Sequence, residues 1–408
     1  MIHISRGLKG EVLLGALLLA TALMVDGSAF SEVAITVARE VLDLSALRSS
    51  LVLTAGGVGG LAVVAAAIIV DRRGPHRVMP LALVAGAGLL LLAISGSLWW
   101  LIASSIVSGL GMAGVASLIL YALAAKGCYR IRGTVIGALA LVGGLDLARR
   151  VAEPLIDASA AASDWRWVAG GFAALAVAGA ALLFTALPRV FPVRRHPETL
   201  PQWRPTTEDE RGLTGRELKQ LPGFRKVVAM VALVFALGGA LSTTVHFQLY
   251  PVYPDLIPGT GLWWLAPAFG ALLWGVASDF VRVRLLIPVV SLVVLLGILL
   301  LWLLEGSGAD ALGAVVMGLA LGATRVLPWV LLADHVGVRF FATVGIGVSI
   351  VGGILGPPLG GVALALSGDL PGGGIVVLVP LTLAFAVAGF TAPRLSLAEI
   401  QRVDSGLA

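Results

Sequence analysis

The sequence predicts an all-α membrane protein whose twelve transmembrane helices form two pseudo-symmetric six-helix bundles. Three observations predict it: an extreme apolar composition, apolar runs of membrane-helix length, and short motifs that recur halfway along the chain. Of 408 residues, 58% are hydrophobic and 12% charged, about half the charged fraction of an ordinary soluble protein. The mean hydropathy is +1.00, and 52 glycines suit helices that pack closely in lipid. The apolar runs are roughly twenty residues long, enough for a helix to cross about 30 Å of hydrocarbon, whereas a barrel strand would alternate over about ten.

The first span covers residues 12–36. Arg6 and Lys9 ahead of the run Val12 to Val25 imitate a secretory signal, but the run continues through Asp26 and Glu32 without a small-residue cleavage site, so it is expected to be retained. Spans at 49–70, 78–96, 98–124, 133–155 and 167–188 complete an N-terminal bundle, residues 1–188. Residues 189–226 are too polar for lipid and read as a cytoplasmic linker. Within it Thr214 and Glu217 make a capping box that opens a short amphipathic helix, Gly215 to Leu221, along the membrane surface. The C-terminal bundle, residues 227–408, holds spans at 227–250, 260–278, 285–304, 311–333, 340–366 and 373–392.

The charges sort by side. With a cytoplasmic amino terminus, 22 of the 28 Lys and Arg residues fall on that side, 3 in the opposite loops and 3 within spans. By the positive-inside rule both termini and the linker lie in the cytoplasm, as expected for a multi-pass protein of the cell membrane. Sidedness also accounts for the net charge of +5 without a nucleic-acid partner. Cys128 is the single cysteine, so no internal disulfide is possible, and the five histidines show no ligand spacing. No metal, no cofactor and no catalytic residues are expected, because no nucleophile has a placed base; the chain does not read as an enzyme.

Internal repetition gives the two halves. Asp71, in IIVDRRGPHRV, and Asp279, in GVASDFVRVR, each follow the second span of a half and stand 208 residues apart. Thr134, Val135, Val142, Gly143 and Gly144 match Thr343, Val344, Val351, Gly352 and Gly353 at an offset of 209, which puts spans five and eleven in register. Two homologous halves imply alternating access, with a small-molecule substrate near the midplane.

The run Asp71, Arg72, Arg73, Gly74 to Arg77 resembles the loop motif of the major facilitator superfamily, usually G-x-x-x-D-R-x-G-R-R, with Ala67 at the first glycine position and Gly275 at that position in the second copy. DWRW at Asp164 to Trp167 and GPPLGG at Gly356 to Gly361 resemble further features of that superfamily. The resemblance implies a twelve-helix transporter in which Asp71, Arg72, Arg73, Gly74, Arg77, Asp279 and Arg282 form cytoplasmic gating contacts. Asp71 would then sit near the positive end of the next helix and pair with a basic group, a contact that rocking must break; a plain loop holding topology by its charge is the alternative. Asp26-Gly27, DRRGP, Arg132-Gly133, Pro154-Leu155, LTGRELKQLPGF and LLAD at Leu331 to Asp334 are similar to bacterial monocarboxylate-transporter-like members. Their frequent span-eight arginine is replaced here by Ala271. Span one, from Asp26 through Thr36, Ala38 and Arg39, is also similar to drug/proton antiporters, whose glycine-proline motif in span five is absent.

An ionised side chain at mid-membrane costs about 3 kcal/mol on insertion scales and so should face the protein interior or water. Arg325 in span ten has no charged neighbour within a turn of its own helix and is the leading substrate-binding residue; a static bridge to Asp26, Glu32 or Asp146 is the alternative. Asp146, Arg149, Arg150 and Glu153 share one face of span five. They form either a self-neutralising ladder or a site where Arg149 or Arg150 clamps a carboxylate through its planar fork. Tyr121, His246 and Gln248 are expected to add substrate hydrogen bonds, though a lone His246 is often a packing residue. Asp26, beside Gly27, is the first proton-coupling candidate, because burial disfavours its charged form; Glu32, Asp146 and Glu153 are the others. Trp99, Trp100, Trp263 and Trp264 are expected at the outer interface.

These residues predict a secondary active transporter, a monomer in the lipid bilayer, moving a small organic anion such as a monocarboxylate with protons by symport. Proton-coupled efflux of a lipophilic or cationic drug-like compound is the alternative, with Asp26 and Glu32 attracting a cation and the arginines structural.

Overall fold

In lipid no water pairs with the backbone, so apolar runs of this length must satisfy every N–H and C=O within a helix. The computed structural model describes residues 8–24, 42–43, 45–73, 77–78, 80–93, 97–112, 117–128, 130–145, 165–190, 223–252, 262–303, 310–336, 341–367 and 373–392. Among them the regular structure is helical throughout, α-helix apart from a 3-10 turn at Arg77. The helices are α1 (Leu8–Met24), α2 (Ala46–Gly60), α3 (Ala62–Arg73), α4 (Pro80–Ala93), α5 (Leu98–Met112), α6 (Ser117–Gly127), α7 (Arg132–Leu145) and α8 (Trp165–Val190). They continue with α9 (Phe224–Val252), α10 (Leu262–Phe280), α11 (Val283–Leu303), α12 (Asp310–Leu321), α13 (Ala323–Val336), α14 (Phe341–Ser367) and α15 (Gly373–Thr391).

Among the described residues six stretches are long and apolar enough to cross a membrane: Thr54–Asp71, Arg166–Leu183, Phe224–Val245, Val283–Leu301, Ala311–Asp334 and Phe341–Val362. Shorter apolar helices cover Leu98–Gly111, Leu118–Gly127, Arg132–Leu145, Leu265–Phe280 and Val377–Thr391. A described helix or pair of helices meets each of the twelve predicted spans. Spans two and ten, read from the sequence as single runs, are each two helices: α2 and α3, α12 and α13. Hydropathy does not register a break that costs no apolar character. Span two breaks at Leu61, after the glycines of GGVGG; span ten breaks at Gly322.

The chain divides into two compact units, one of Met1–Gly127 with Asp146–Gln202, the other of Cys128–Leu145 with Trp203–Ala408. In the first, α5 packs between α2 and α4, α4 also lies on α8, and α1 lies on α8 and α6. In the second, α9 packs on α14 and α15, α10 on α7 and α12, and α11 on α12 and α15. The linker and its capping box, residues 189–226, fall almost wholly outside the described residues.

Burying apolar surface drives little association between helices in lipid, so contact depends on close packing and on satisfied polar groups. The hydroxyls of Thr21, Thr244, Ser291 and Thr382 are buried and donate to the carbonyl four residues earlier, at 2.9, 2.8, 3.0 and 2.7 Å. Trp329 meets Phe235 edge-on at 5.5 Å and Phe341 at 5.8 Å, tying α13 to α9 and α14. Leu292 and Ile354 are each 65% exposed, the outward apolar surface that a bilayer covers. Trp99 and Trp100, exposed in the first turn of α5, suit the interfacial role expected for them.

Candidate functional site

Span ten positions the leading candidate through a sequence of local constraints. Gly322 interrupts the span where it presses on α10. A methyl group there would lie 2.3 Å from the Ala271 nitrogen and 2.4 Å from the Pro267 carbonyl oxygen, so only hydrogen fits. The turn closes with Arg325 N donating to Gly322 O at 3.2 Å. Pro328 follows inside α13 and has no N–H to return to Thr324, which weakens the ladder again. Arg325 lies between these two breaks. It is exposed, while Ala323, Val326, Leu327 and Trp329 to Ala333 around it are buried.

Six helices of the same unit pack on α13: α7, α9, α10, α11, α12 and α14. Among the described residues the Arg325 guanidinium has no hydrogen-bond or ion-pair partner, and it rests against the last turn of α7 at Gly144. Ala271 is fully buried. A methyl group on Gly137 of α7 would stand 2.6 Å from the Ala271 carbonyl oxygen, and one on Gly275 of α10 would stand 2.3 Å from that of Gly133. Ala271 therefore stands where its backbone is crowded by α7 on one side and by Gly322 on the other, a buried setting that disfavours a long side chain.

At the opposite end of α7 the sequence places Gly133 and Thr134 in the first turn, with backbone N–H groups that no intrahelical carbonyl can accept. Asp279, at the end of α10, accepts them. Its Oδ1 takes the Gly133 N–H at 2.7 Å, and its Oδ2 takes the Thr134 N–H at 2.8 Å and the Thr134 hydroxyl at 2.6 Å. A carboxylate on a helix N-terminus is favoured by hydrogen bonds and by the helix dipole together. Beside it Arg132, buried, donates to Asp334 at 3.4 Å, with Asp334 about half exposed. Arg282 lies exposed just past Asp279.

In the first unit Asp71 pairs with Lys126, at the end of α6; the Asp71 side chain is fully buried and that of Lys126 nearly so. This is a basic partner from span four. Arg77 is exposed and Tyr121 is buried in α6. Arg72 and Arg73 lie on α3, and His246 and Gln248 on α9, but only their backbones are described. Gly74, Asp26, Glu32, Asp146, Arg149, Arg150 and Glu153 lie outside the described residues.

Sequence reasoning assigned no role to Lys126, Arg132, Thr134 or Asp334. A signal existed: Lys126 and Asp334 are 208 residues apart, the spacing of Asp71 and Asp279. The repeat thus carries a second charged position, with its sign reversed between the halves.

The sequence model of the Major Facilitator Superfamily matches residues 12–344, most of the chain. The chain belongs to that superfamily. Its members are secondary transporters with twelve membrane helices in two domains, so this superfamily protein is a multi-pass membrane transporter and not an enzyme. No curated protein matches its sequence significantly. Among solved structures, the E. coli fucose:proton symporter FucP is similar at a TM-score of 0.62 and 10% identity, over 94% of this chain and all of that one. The human organic anion transporter MFSD10 (TETRAN) is similar at a TM-score of 0.61 and 14% identity, over 95% of this chain and 99% of that one. Identities this low establish the shared fold of this superfamily member and nothing finer.

Proposed function

We propose that the protein carries a small organic anion, such as a monocarboxylate, together with protons by alternating access, and that Arg325 holds the anion. One observation carries this reading. Arg325 is exposed between buried neighbours on α13, and among the described residues its guanidinium has no hydrogen-bond or ion-pair partner. An ionised group in a membrane helix costs about 3 kcal/mol against lipid and avoids that cost by facing water or a counter-charge, which is the setting an anion site provides. Its planar fork matches a carboxylate through two charge-assisted hydrogen bonds.

Arg149 or Arg150 supplies a second positive charge, and Tyr121, His246 and Gln248 supply neutral contacts. Asp26 exchanges the coupled proton, with Glu32, Asp146 and Glu153 as further acids on spans one and five. The names of the two structural relatives, a proton symporter and an organic anion transporter, are in keeping with this reading. We place the protein in the cell membrane as a monomer, both termini cytoplasmic.

The gate in this reading consists of Asp71, Arg72, Arg73, Gly74 and Arg77 in the first half and Asp279 and Arg282 in the second. The Asp71–Lys126 pair and the Asp279 cap of α7 are electrostatic contacts that a conformational change can break and remake without covalent cost.

The test is counterflow of radiolabelled monocarboxylates in proteoliposomes. Counterflow by the unaltered protein, abolished in Arg325→Ala, is the expected result. Unchanged counterflow in that variant would remove Arg325 from the site. Proton-driven export of a cationic dye, insensitive to Arg325→Ala, would favour the efflux alternative.

A further inference from the structure

We infer that Gly144 of α7 sets the position of the Arg325 guanidinium, making this span-five glycine a positioning residue for anion recognition. The recognition part rests on the proposed role of Arg325; the positioning part does not. A Cβ built on Gly144 would lie 2.8 Å from the Arg325 Nη1, its nearest neighbour, then 3.0 Å from the Ala268 Cβ and 3.3 Å from the Ala268 Cα. The closest atom is the far end of a flexible side chain, whereas the other two belong to a short residue held on a packed helix. An added methyl group is therefore accommodated mainly by the arginine, which moves away while the α7–α10 contact gives by a few tenths of an ångström.

The neighbouring glycine provides the contrast. Among the described residues nothing lies within 4 Å of the corresponding position at Gly143, so Gly143→Ala gains the same intrinsic helix preference and disturbs none of these contacts. Stability and recognition separate: both alanines keep the fold, and only the one at 144 moves the guanidinium. Burial alone would not make that distinction, because both residues are on the last turn of one helix.

Phenylglyoxal, which modifies accessible arginines, reads the position directly. Purified full-length protein is labelled, and peptide mass spectrometry gives the labelling of Arg325 relative to the exposed Arg282. Gly144→Ala is expected to shift that ratio, with Gly143→Ala matching the unaltered protein. In parallel, Gly144→Ala should raise KM for counterflow of benzoate by about tenfold with the maximal rate largely kept, equivalent to one weakened charge-assisted hydrogen bond. Equal ratios in all three proteins overturn the inference. If Gly144→Ala does not purify, Gly144→Ala combined with Ala268→Gly relieves the contact on α10 and leaves the guanidinium contact; an unshifted ratio there overturns it equally. Failure of acetate, lactate and benzoate to protect Arg325 in the unaltered protein would refute the anion reading instead, while the variant ratios still decide the positioning.

Discussion

Lys126 and Asp334 hold the same place in the two halves, 208 residues apart, and bear opposite charges. Lys126 neutralises Asp71 at the end of α3, whereas Asp334 binds Arg132 at the start of α7. Asp279, the counterpart of Asp71, thus has an acid rather than a base at the repeated position, and it binds the N–H groups of α7.

Lys126→Met should destabilise the protein by about 1.5–3 kcal/mol, the usual range for losing a hydrogen bond to a charged group, because it removes a cation from the fully buried carboxylate of Asp71. Adding Asp71→Asn should recover most of that loss. Thermal unfolding of the purified single and double variants measures it, and a double variant no more stable than the single would show that the pair is not the source.

Asp279→Ala should cost about 0.5–2 kcal/mol, the usual range for losing a capping side chain. It should also accelerate hydrogen exchange at Gly133 and Thr134, whose N–H groups it holds. Thr134→Val removes only the hydroxyl bond and should leave the Gly133 amide protected. Exchange read by mass spectrometry on the first turn of α7 distinguishes the two.

Ala271→Arg should not create a second anion anchor. Position 271 is fully buried, its backbone crowded by Gly137 of α7 and by Gly322 of span ten, so the guanidinium would have to push packed helices apart or remain buried and unpaired, costing more than about 3 kcal/mol. Low yield and aggregation on size exclusion are expected. A monodisperse variant with increased anion affinity would contradict the packing argument.

Arg325→Ala should change stability by less than about 1 kcal/mol, since the side chain is exposed and has no partner among the described residues. Transport should nevertheless be lost. A melting temperature several degrees lower would indicate instead that the arginine holds the bundle together.

The sequence by itself determined the fold class and the number of spans, because a membrane leaves helix as the only open-chain solution and twenty apolar residues announce each crossing. It also identified Asp71 and Asp279, since the repeat spacing is visible in one dimension. Arg325 was legible as an isolated charge in an apolar run. Only the tertiary structure decided what these groups touch: that Asp279 caps α7, that Lys126 answers Asp71, that Ala271 is buried among packed helices, and that Gly144 lies under the Arg325 guanidinium. Hydropathy reports the solvent a segment prefers and is blind to its neighbours. Contacts between helices separated by more than a hundred residues depend on side-chain volume and backbone approach, which become definite only once the helices are packed.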